Sequence, residues 1–319
     1  MLRLLRLLAD GEFHSGQVLG GILGVSRSAV WKQLQQLELE LGLEVHKVRG
    51  RGYRLAHPVS LLDVSDISRR LQTLGWSIRV LNTVDSTNAE ASRLVGAGHA
   101  MPALVLAERQ TAGRGRRGRK WVSPFAENLY YSLVLRIEGG MQQLEGLSLV
   151  VGLAVMQALR ESGLHTAGLK WPNDVLVGGR KVAGILLELM GDPADICHLV
   201  IGVGINVNMR TCAEVDQPWT SVLLEAGTPL DRNDLVVRMS EALDRYLALR
   251  REHGFSAVQS EWEQNHLWQG RAVSLHAGAG VVEGTVLGID ATGALRLDVA
   301  GVEQRFSGGE LSLRLRDDT

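Results

Sequence analysis

The segment RQTAGRGRRGRKW at 109–121 combines glycines with cations, directly after the apolar run ALVLAE. Gly113, Gly115 and Gly118 match the spacing G-x-G-x-x-G, which is typical of a turn that binds a dinucleotide. The same segment contains the cations Arg114, Arg116, Arg117, Arg119 and Lys120. These residue types could therefore bind a nicotinamide dinucleotide, a nucleic acid or another anion.

The order of residues after the glycines helps to separate these possibilities. A dinucleotide turn needs its third glycine to open a helix, but RKWVSP follows Gly118 and does not start a helix cleanly. Binding of nucleic acid needs interleaved aromatic side chains, and Trp121 is the only aromatic residue in the segment. Glycines allow a close approach to a ligand, and guanidinium groups bind carboxylate and phosphate oxygens. The segment is thus typical of a loop that closes over a substrate of phosphoryl or adenylyl transfer.

Further polar side chains occur in two stretches that could contact the same substrate. The stretch VDSTNAEA begins a predicted helix with Ser86, Thr87 and Asn88. Simple N-capping is an alternative explanation for these three residues. The stretch LKWPNDVLV surrounds its proline with Lys170, Asn173 and Asp174. A lone lysine at a turn is ordinarily solvated, but beside a carboxylate and a phosphate it would neutralise charge that builds in the transition state.

Composition indicates an ordinary globular protein of two or three domains, since the chain has 319 residues, 45% hydrophobic and 22% charged. The two cysteines, Cys197 and Cys212, form neither a C-x-x-C motif nor a disulfide framework, so reduced thiols are expected. No sequence motif indicates a transition-metal site built by the protein. Arg3 and Arg6 interrupt the apolar start, which predicts an amphipathic helix rather than a signal peptide. The apolar run at 146–159 is too short to span a bilayer, and we expect a cytoplasmic protein without membrane contact.

The N-terminal segment has the pattern of a winged helix-turn-helix domain. Residues 1–58 carry a net charge of +3, although the formal charge of the whole chain is −1. Gly24 permits a turn between two helices, and the second helix has an apolar stripe at Val30, Leu34, Leu37 and Leu41. VHKVRGRGYRL then predicts a basic hairpin. The predicted DNA contacts are Ser26, Arg27, Ser28, Lys32, Gln33, Arg49 and Arg51. A three-helix packing domain with a solvated basic surface is the alternative.

The central segment predicts a mixed sheet with helices packed on it, so the fold class is α+β and multidomain. Strands are expected at 128–137 and 197–208, a long helix at about 141–162, and a hairpin at 174–189 that turns at Gly178-Gly179. Residues 270–314 read as several short strands with glycine turns.

Five motifs occur in the order found in biotin–protein ligases: DSTN, GRGRRGRKW, KWPND, KVAGILLEL and GVGINVN. The chain resembles the bifunctional members of that family, which also act as biotin operon repressors. The resemblance implies a winged helix-turn-helix DNA-binding domain at 1–60, a class II synthetase-like ligase domain at 61–266, and an SH3-like β-barrel at 267–319.

The resemblance also implies a reaction and its partners. Biotin and ATP form biotinyl-5′-AMP, with Mg²⁺ accompanying the nucleotide, and biotin is then transferred to a lysine of the biotin carboxyl carrier protein of acetyl-CoA carboxylase. No covalent enzyme nucleophile is needed, so positioning and charge stabilisation must provide the acceleration. A homodimer whose formation is linked to ligand would bind operator DNA of biotin synthesis genes.

Site residues carry over from the motifs. The expected catalytic residues are Lys170, ranked first, Arg116 and Arg114. The expected biotin contacts are Ser86, Thr87, Asn88, Gln110, Arg114, Gly115, Arg116, Lys170, Gly184 and Gly204. The expected contacts to ATP or the adenylate are Arg116, Arg119, Lys120, Trp121, Asn173, Lys181, Asn208 and Trp219.

Alternatives to this function differ in the residues that they require. A lipoate ligase would carry the signature R-R-x-x-G-G-G, which this sequence lacks. A non-catalytic repressor that senses biotin would be expected to lose Lys170 or the arginine-rich loop, and both are present. A ligase whose N-terminal domain is only structural stays open, because affinity for an operator does not follow from one sequence.

Overall fold

The computed structural model describes residues 1–138, 144–191, 197–277, 280–308 and 311–316. Its N-terminal domain consists of α1 (Leu2–Leu8), α2 (Gly16–Leu23), α3 (Arg27–Leu41), β1 (Val45–Val48) and β2 (Gly52–Leu55). The strands β1 and β2 pair in an antiparallel hairpin, and residues 49–51 form its tip. This arrangement of helices and hairpin confirms the predicted winged helix-turn-helix.

Local sequence explains the N-terminal helices. Gly24 has a φ of +68°, which ends α2 in the left-handed conformation that glycine favours. Ser26 then caps α3, because its hydroxyl accepts a hydrogen bond of 3.2 Å from the Ala29 amide. Val30, Leu34 and Leu37 are fully buried beneath the helix, as the apolar stripe predicts. The helix α3 therefore turns its remaining, polar face outward.

The central domain is built around a mixed sheet. Its strands are β3 (Ser77–Leu81), β4 (Ala103–Ala107), β5 (Leu129–Ile137), β6 (Gly168–Lys170), β7 (Asp174–Val177), β8 (Arg180–Gly191) and β9 (Cys197–Ile205). Its helices are α4 (Val64–Arg70), α5 (Thr87–Gly96), α6 (Leu147–Glu161), α7 (Val222–Ala226), α8 (Arg232–His253) and α9 (Ser256–Gln264). The strand order is β3-β4-β5-β9-β8-β7-β6, and β3 and β4 are parallel whereas the other neighbours are antiparallel. The expected mixed sheet is confirmed.

Two sequence expectations in this domain have different outcomes. Gly178 and Gly179 have φ values of +55° and +78°, so the hairpin between β7 and β8 turns where it was predicted. The helix expected from about residue 141 begins only at Leu147, after Gly146 with a φ of +65°. The start predicted for α6 is therefore too early for residues 144–146, and residues 139–143 lie outside the described residues.

The C-terminal segment forms an antiparallel sheet, in the place of the expected SH3-like barrel. Its strands are β10 (Ala272–Ala277), β11 (Gly280–Ile289), β12 (Leu295–Val299), β13 (Val302–Phe306) and β14 (Leu311–Leu315), in the order β13-β12-β11-β10-β14. Leu275, Leu297 and Leu313 belong to the same buried cluster as the helices of the central domain. Burial of this apolar surface fixes the C-terminal sheet against the central domain.

Hydrophobic packing and hydrogen bonds also connect the N-terminal domain to the central domain. Phe125 and Ala126 pack into the hydrophobic cluster of the N-terminal domain, and the Arg109 guanidinium donates to the Glu40 carbonyl at 2.6 Å. Arg232 is fully buried, pairs with Glu108 and donates to the Ser60 carbonyl. The predicted boundary at residues 60 and 61 thus falls in a segment held by buried hydrogen bonds.

None of the helices within the described residues is long and apolar enough to cross a membrane. Cys197 and Cys212 are both free thiols.

Candidate active site

Two adjoining cavities lie at one end of the central sheet. The larger has a volume of about 380 Å³ and lies between the arginine-rich loop (residues 113–121), the KWPND turn (residues 170–174), residues 214–219 and β14. The smaller, of about 50 Å³, lies between the start of α5, the strands β8 and β9, and the arginine-rich loop. Both cavities are bordered by Gly115, Arg116, Trp121, Asn173 and Lys181. A ligand with one group in each cavity would therefore pass these side chains at its centre.

The floor of the smaller cavity is a buried polar network at the start of α5. The amide and hydroxyl of Thr87 both donate to the Gln110 side-chain oxygen, at 2.9 and 3.1 Å. Ser132 donates to Asn88 at 2.6 Å, and Asn88 donates to Glu188 at 2.7 Å. These bonds satisfy the buried polar groups and fix their directions.

Ser86 occupies the N-cap position of α5, but its hydroxyl does not cap the helix. Its side chain makes no capping hydrogen bond among the described residues, and it is 4% exposed. The backbone amide of Ser86 instead donates to the Asp85 carboxylate at 2.8 Å, and that carboxylate pairs with Arg93. The capping explanation is therefore wrong for the hydroxyl of Ser86, which borders the smaller cavity.

Glycines in β8 and β9 make room for neighbouring side chains. A Cβ atom at Gly204 would lie 2.4 Å from the Trp121 ring, and one at Gly184 would lie 3.0 Å from Lys181. Sequence reasoning assigned these glycines to the close approach of biotin, whereas this structure places Trp121 and Lys181 against them. Gly202, which sequence reasoning missed, serves Asn88 in the same way, since its Cβ would lie 2.3 Å from the Asn88 oxygen.

The arginine-rich loop is closed by its own backbone. The Gly115 amide donates to the Arg119 carbonyl at 2.7 Å, and the Trp121 amide donates to the Gly113 carbonyl at 2.9 Å. Residues 116–118 form a single 3₁₀ turn, and residues 119–124 form no helix. The geometry thus differs from a dinucleotide-binding turn, in which the third glycine opens a helix.

The cations of this loop lie in unequal environments. Arg116 is directed inward, donating to the Asn173 oxygen at 2.7 Å and to the Leu311 carbonyl at 3.3 Å. Burial lowers the pKa of Arg116, and the charge of Asp174 opposes that change. Arg114 is half-exposed and pairs with Glu188 at 3.0 Å, beside the smaller cavity. Exposed Lys120 pairs with Glu214 across the rim of the larger cavity at 2.9 Å, and Arg119 is exposed on the same rim.

Two lysines flank one carboxylate at the boundary between the cavities. The Lys181 amine lies 2.6 Å from one Asp174 oxygen, and the Lys170 amine lies 3.7 Å from the other. Burial lowers the pKa of Lys170, and Asp174 acts in the opposite direction. Lys181 borders both cavities, whereas Lys170 borders only the larger one. The structure therefore brings Lys181 to the junction and does not place Lys170, which the sequence ranked first, in the smaller cavity.

The bifunctional ligase/repressor BirA of Escherichia coli (strain K12) is 44% identical to this chain over 315 residues, which are 98% of this chain and 97% of that protein. The chain belongs to the biotin–protein ligase family. The bifunctional ligase/repressor BirA of Bacillus subtilis (strain 168) is 34% identical over 94% of each chain. A biotin protein ligase from Aquifex aeolicus, solved in complex with biotin and ATP, superposes with a TM-score of 0.67 and 32% identity over 75% of this chain and 99% of that chain.

Family models divide this ligase into three regions. The model described as the Biotin/lipoate A/B protein ligase family matches residues 80–206, and the Biotin protein ligase C terminal domain matches residues 270–314. An HTH domain model matches residues 1–54. The first region contains the residues that border the smaller cavity and part of the border of the larger one, which also includes residues 214–219 and β14. The second region corresponds to the C-terminal sheet, and the third to the winged helix-turn-helix.

One residue assigned to the nucleotide does not reach the site of this ligase. The side-chain nitrogen of Asn208 donates to the Leu230 carbonyl at 2.9 Å, and its side-chain oxygen accepts from the Leu230 backbone amide at 3.0 Å. Asn208 borders neither of the two cavities. Its near neighbour Asn206, which sequence reasoning missed, borders the larger cavity instead. Residues 206–208 follow β9 without regular strand structure, so a period-two pattern in the sequence does not predict which of the two asparagines faces the ligand.

The segment around Trp219 does reach the larger cavity. The Lys181 amide donates to the Pro218 carbonyl at 3.0 Å, and the Thr220 amide donates to the Lys181 carbonyl at 2.9 Å. Trp219 thus runs beside the junction lysine, and the preceding residues Glu214 and Asp216 border the same cavity. These two carboxylates are not predicted from the sequence, because nothing in their spacing indicates a site.

The DNA-binding residues expected in the N-terminal domain lie mostly on an exposed surface. Arg27, Ser28, Lys32, Arg49 and Arg51 are exposed, and Gln33 is half-buried. The hydroxyl of exposed Ser26 caps α3 and bonds to the Ser28 hydroxyl at 2.9 Å. Trp31, which sequence reasoning missed, is 43% exposed on the same face of α3.

Proposed function

We propose that this chain activates biotin with ATP to biotinyl-5′-AMP and transfers biotin to a lysine of the biotin carboxyl carrier protein of acetyl-CoA carboxylase. The observation that carries the proposal is the wall shared by the two cavities. Arg116 and Lys181 lie in that wall, where a carboxylate from the smaller cavity would meet a phosphate from the larger one. Guanidinium and ammonium groups at such a point stabilise the charge that builds during transfer.

Biotin is proposed to occupy the smaller cavity, with its head on the network of Ser86, Thr87, Asn88 and Gln110. A cavity of about 50 Å³ is far below the ~300–1,000 Å³ of ordinary ligand pockets. Trp121 lies against Gly204 and fills part of this space. We therefore expect Trp121 and the arginine-rich loop to shift as biotin enters, and to close over the adenylate afterwards.

The first step joins biotin to the nucleotide. A carboxylate oxygen of biotin attacks the α-phosphorus of ATP, a new P–O bond forms, and the bond to the β-phosphate breaks with release of pyrophosphate. Lys181 and Arg116 hold the carboxylate and the α-phosphate together, and Lys170 faces the phosphates in the larger cavity. Burial of these groups strengthens each charge interaction relative to water.

The second step transfers the acyl group. The neutral amine of the acceptor lysine attacks the carbonyl of the mixed anhydride, a C–N bond forms, and AMP leaves with the electrons of the broken C–O bond. The amine releases its extra proton to solvent or to the departing phosphate. No covalent bond to this chain is formed in either step.

Mg²⁺ is proposed to arrive with ATP, held by phosphate oxygens and water. Among the described residues, no group of three or more His, Cys, Asp or Glu side chains could hold a metal ion. Asp174, the carboxylate nearest the lysines, is already paired with Lys181. These donors suit an ion that enters on the nucleotide, because Mg²⁺ retains waters and is commonly bound through substrate phosphates.

Repression of biotin synthesis genes is the second proposed activity. The exposed cations on α3 and the hairpin support binding of an operator. We propose a homodimer, favoured by the adenylate, that places two N-terminal domains on a palindromic site. Sedimentation with biotin and ATP should show monomers converting to dimers, and an unchanged monomer would contradict this regulation.

Transfer of biotin to a purified acceptor domain tests the ligase. We expect the variant Lys181→Ala to lower formation of biotinyl-adenylate by about 10²–10³-fold. Lys170→Ala should act mainly through the KM for ATP, because Lys170 borders only the larger cavity. Lys47→Ala, an exposed lysine of the hairpin, is the matched control and should leave the rate unchanged. If the wild-type chain formed no adenylate, the biotin-sensing repressor without catalysis would replace the ligase.

A further inference from the structure

Lys170 has an aromatic neighbour that does not border the substrate cavity. Its amine lies 4.9 Å from the centre of the Trp268 ring and 3.7 Å from an Asp174 carboxylate oxygen. Trp268 is half-buried, packs against the main core and does not border either cavity. The ring face carries partial negative charge and attracts an ammonium group within about 6 Å.

The backbone on both sides of Trp268 is hydrogen-bonded, which restrains the position of its Cα relative to the strand of Lys170. The Leu169 amide donates to the Asn265 carbonyl at 2.8 Å, and the Leu267 amide donates to the Leu169 carbonyl at 2.9 Å. Beyond the tryptophan, Gly270 and Val286 are joined by a backbone hydrogen bond of 3.0 Å. One short segment thus connects the strand of Lys170 with the C-terminal sheet.

We propose that Trp268 is a positioning residue that restrains the Lys170 ammonium at the border of the larger cavity, and that the C-terminal sheet keeps this tryptophan in place. The inference rests on the proposed ligase reaction. It assigns a role to a residue that touches neither biotin nor nucleotide. A lysine side chain has several rotatable bonds. Contact with the Trp268 ring already restricts them, so less conformational entropy is lost when the amine binds a phosphate.

The test compares Trp268→Leu with Trp268→Phe in single-turnover formation of biotinyl-adenylate at an ATP concentration well below its KM, where weaker binding of ATP lowers the rate. Leucine removes the ring face, and we expect the rate to fall by about 3- to 30-fold, the range of a desolvated cation–π contact. Phenylalanine keeps a ring face and should restore most of the rate. Trp268→Met also removes the ring but has a longer and more flexible side chain than leucine, and it replaces the leucine variant if that variant does not fold.

A second comparison separates positioning from general support of the fold. In the Lys170→Ala background, Trp268→Leu should cause no further loss, because the group that it positions is gone. An equal loss in both backgrounds, or equal effects of leucine and phenylalanine, would overturn the inference. A wild-type chain that forms no adenylate would instead overturn the proposed ligase, so the two failures are distinguishable.

Discussion

Two segments of this chain have nearly the same composition and lie in opposite environments. The hairpin tip reads RGRGYR at 49–54, and the arginine-rich loop reads GRGRRGRKW at 113–121. In the hairpin, the Arg51 and Arg54 guanidinium groups lie 4.2 and 4.9 Å from the centre of the Phe13 ring, and Arg51 is exposed to solvent. In the loop, Arg116 is directed inward and bonds to Asn173 and Leu311.

The contrast shows that glycine and arginine alone do not define a ligand. Cationic side chains on an exposed, hydrated surface interact with the phosphates of an extended nucleic acid, and salt screens this interaction. Charges beside a cavity meet a small anion at short range, and their interaction is stronger because less water intervenes. The hairpin is therefore suited to DNA, and the loop to an adenylate.

Replacing one arginine of each segment by alanine gives the largest expected effect. Arg116→Ala should lower the rate of adenylate formation by about 10²–10³-fold, because a donor aimed at the reacting groups is lost. Arg51→Ala should leave that rate unchanged. Steady-state assays of both variants measure the difference. A comparable loss in Arg51→Ala would contradict the separation of the two segments.

Adding a methyl group to one glycine in each segment gives an intermediate effect. A Cβ atom at Gly52 would lie 2.0 Å from the His14 carbonyl, and one at Gly113 would lie 2.5 Å from the Trp121 carbonyl. We expect each alanine variant to distort only its own segment, at a cost on the order of 1–3 kcal/mol. Gly52→Ala should weaken DNA binding, and Gly113→Ala should slow the ligase.

Matched controls exist in both segments. Gly50 and Gly118 have φ values of +84° and +69°, and no described atom lies within 4 Å of a Cβ atom built there. Alanine at these positions carries only the left-handed backbone cost of about 1 kcal/mol. If these controls were as impaired as Gly52→Ala and Gly113→Ala, backbone conformation rather than the close contact would explain the losses.

Ionic strength gives the smallest expected effect and sharpens the comparison. Each phosphate contact contributes about 0.9 to the slope of log affinity against log salt. Arg49→Ala or Arg51→Ala should reduce that slope by about one and weaken DNA binding roughly fivefold near physiological salt. Titrations of operator and unrelated DNA at several salt concentrations measure this. A slope equal to that of the wild type would show that these side chains do not contact phosphate.

The sequence by itself determined the local elements and the set of motifs. The apolar stripe of α3, the turn after Gly24 and the hairpin at Gly178-Gly179 depend on near neighbours in the chain, so their patterns could be recognised. Motif spacing also identified the arginine-rich loop and the KWPND turn as candidate site segments, and both border the larger cavity. Local periodicity and glycine conformation are sufficient for such predictions.

Only the tertiary structure decided which members of each motif meet. The register between β7 and β8 shifts between Val175 and Leu176, and Lys181 rather than Lys170 borders both cavities. Asn206 faces the larger cavity, whereas Asn208 is bonded to Leu230. The contact of Trp268 with Lys170 joins residues that are almost 100 positions apart. Strand register, strand face and contacts between distant segments depend on how the whole chain packs, and no short stretch of sequence contains that information.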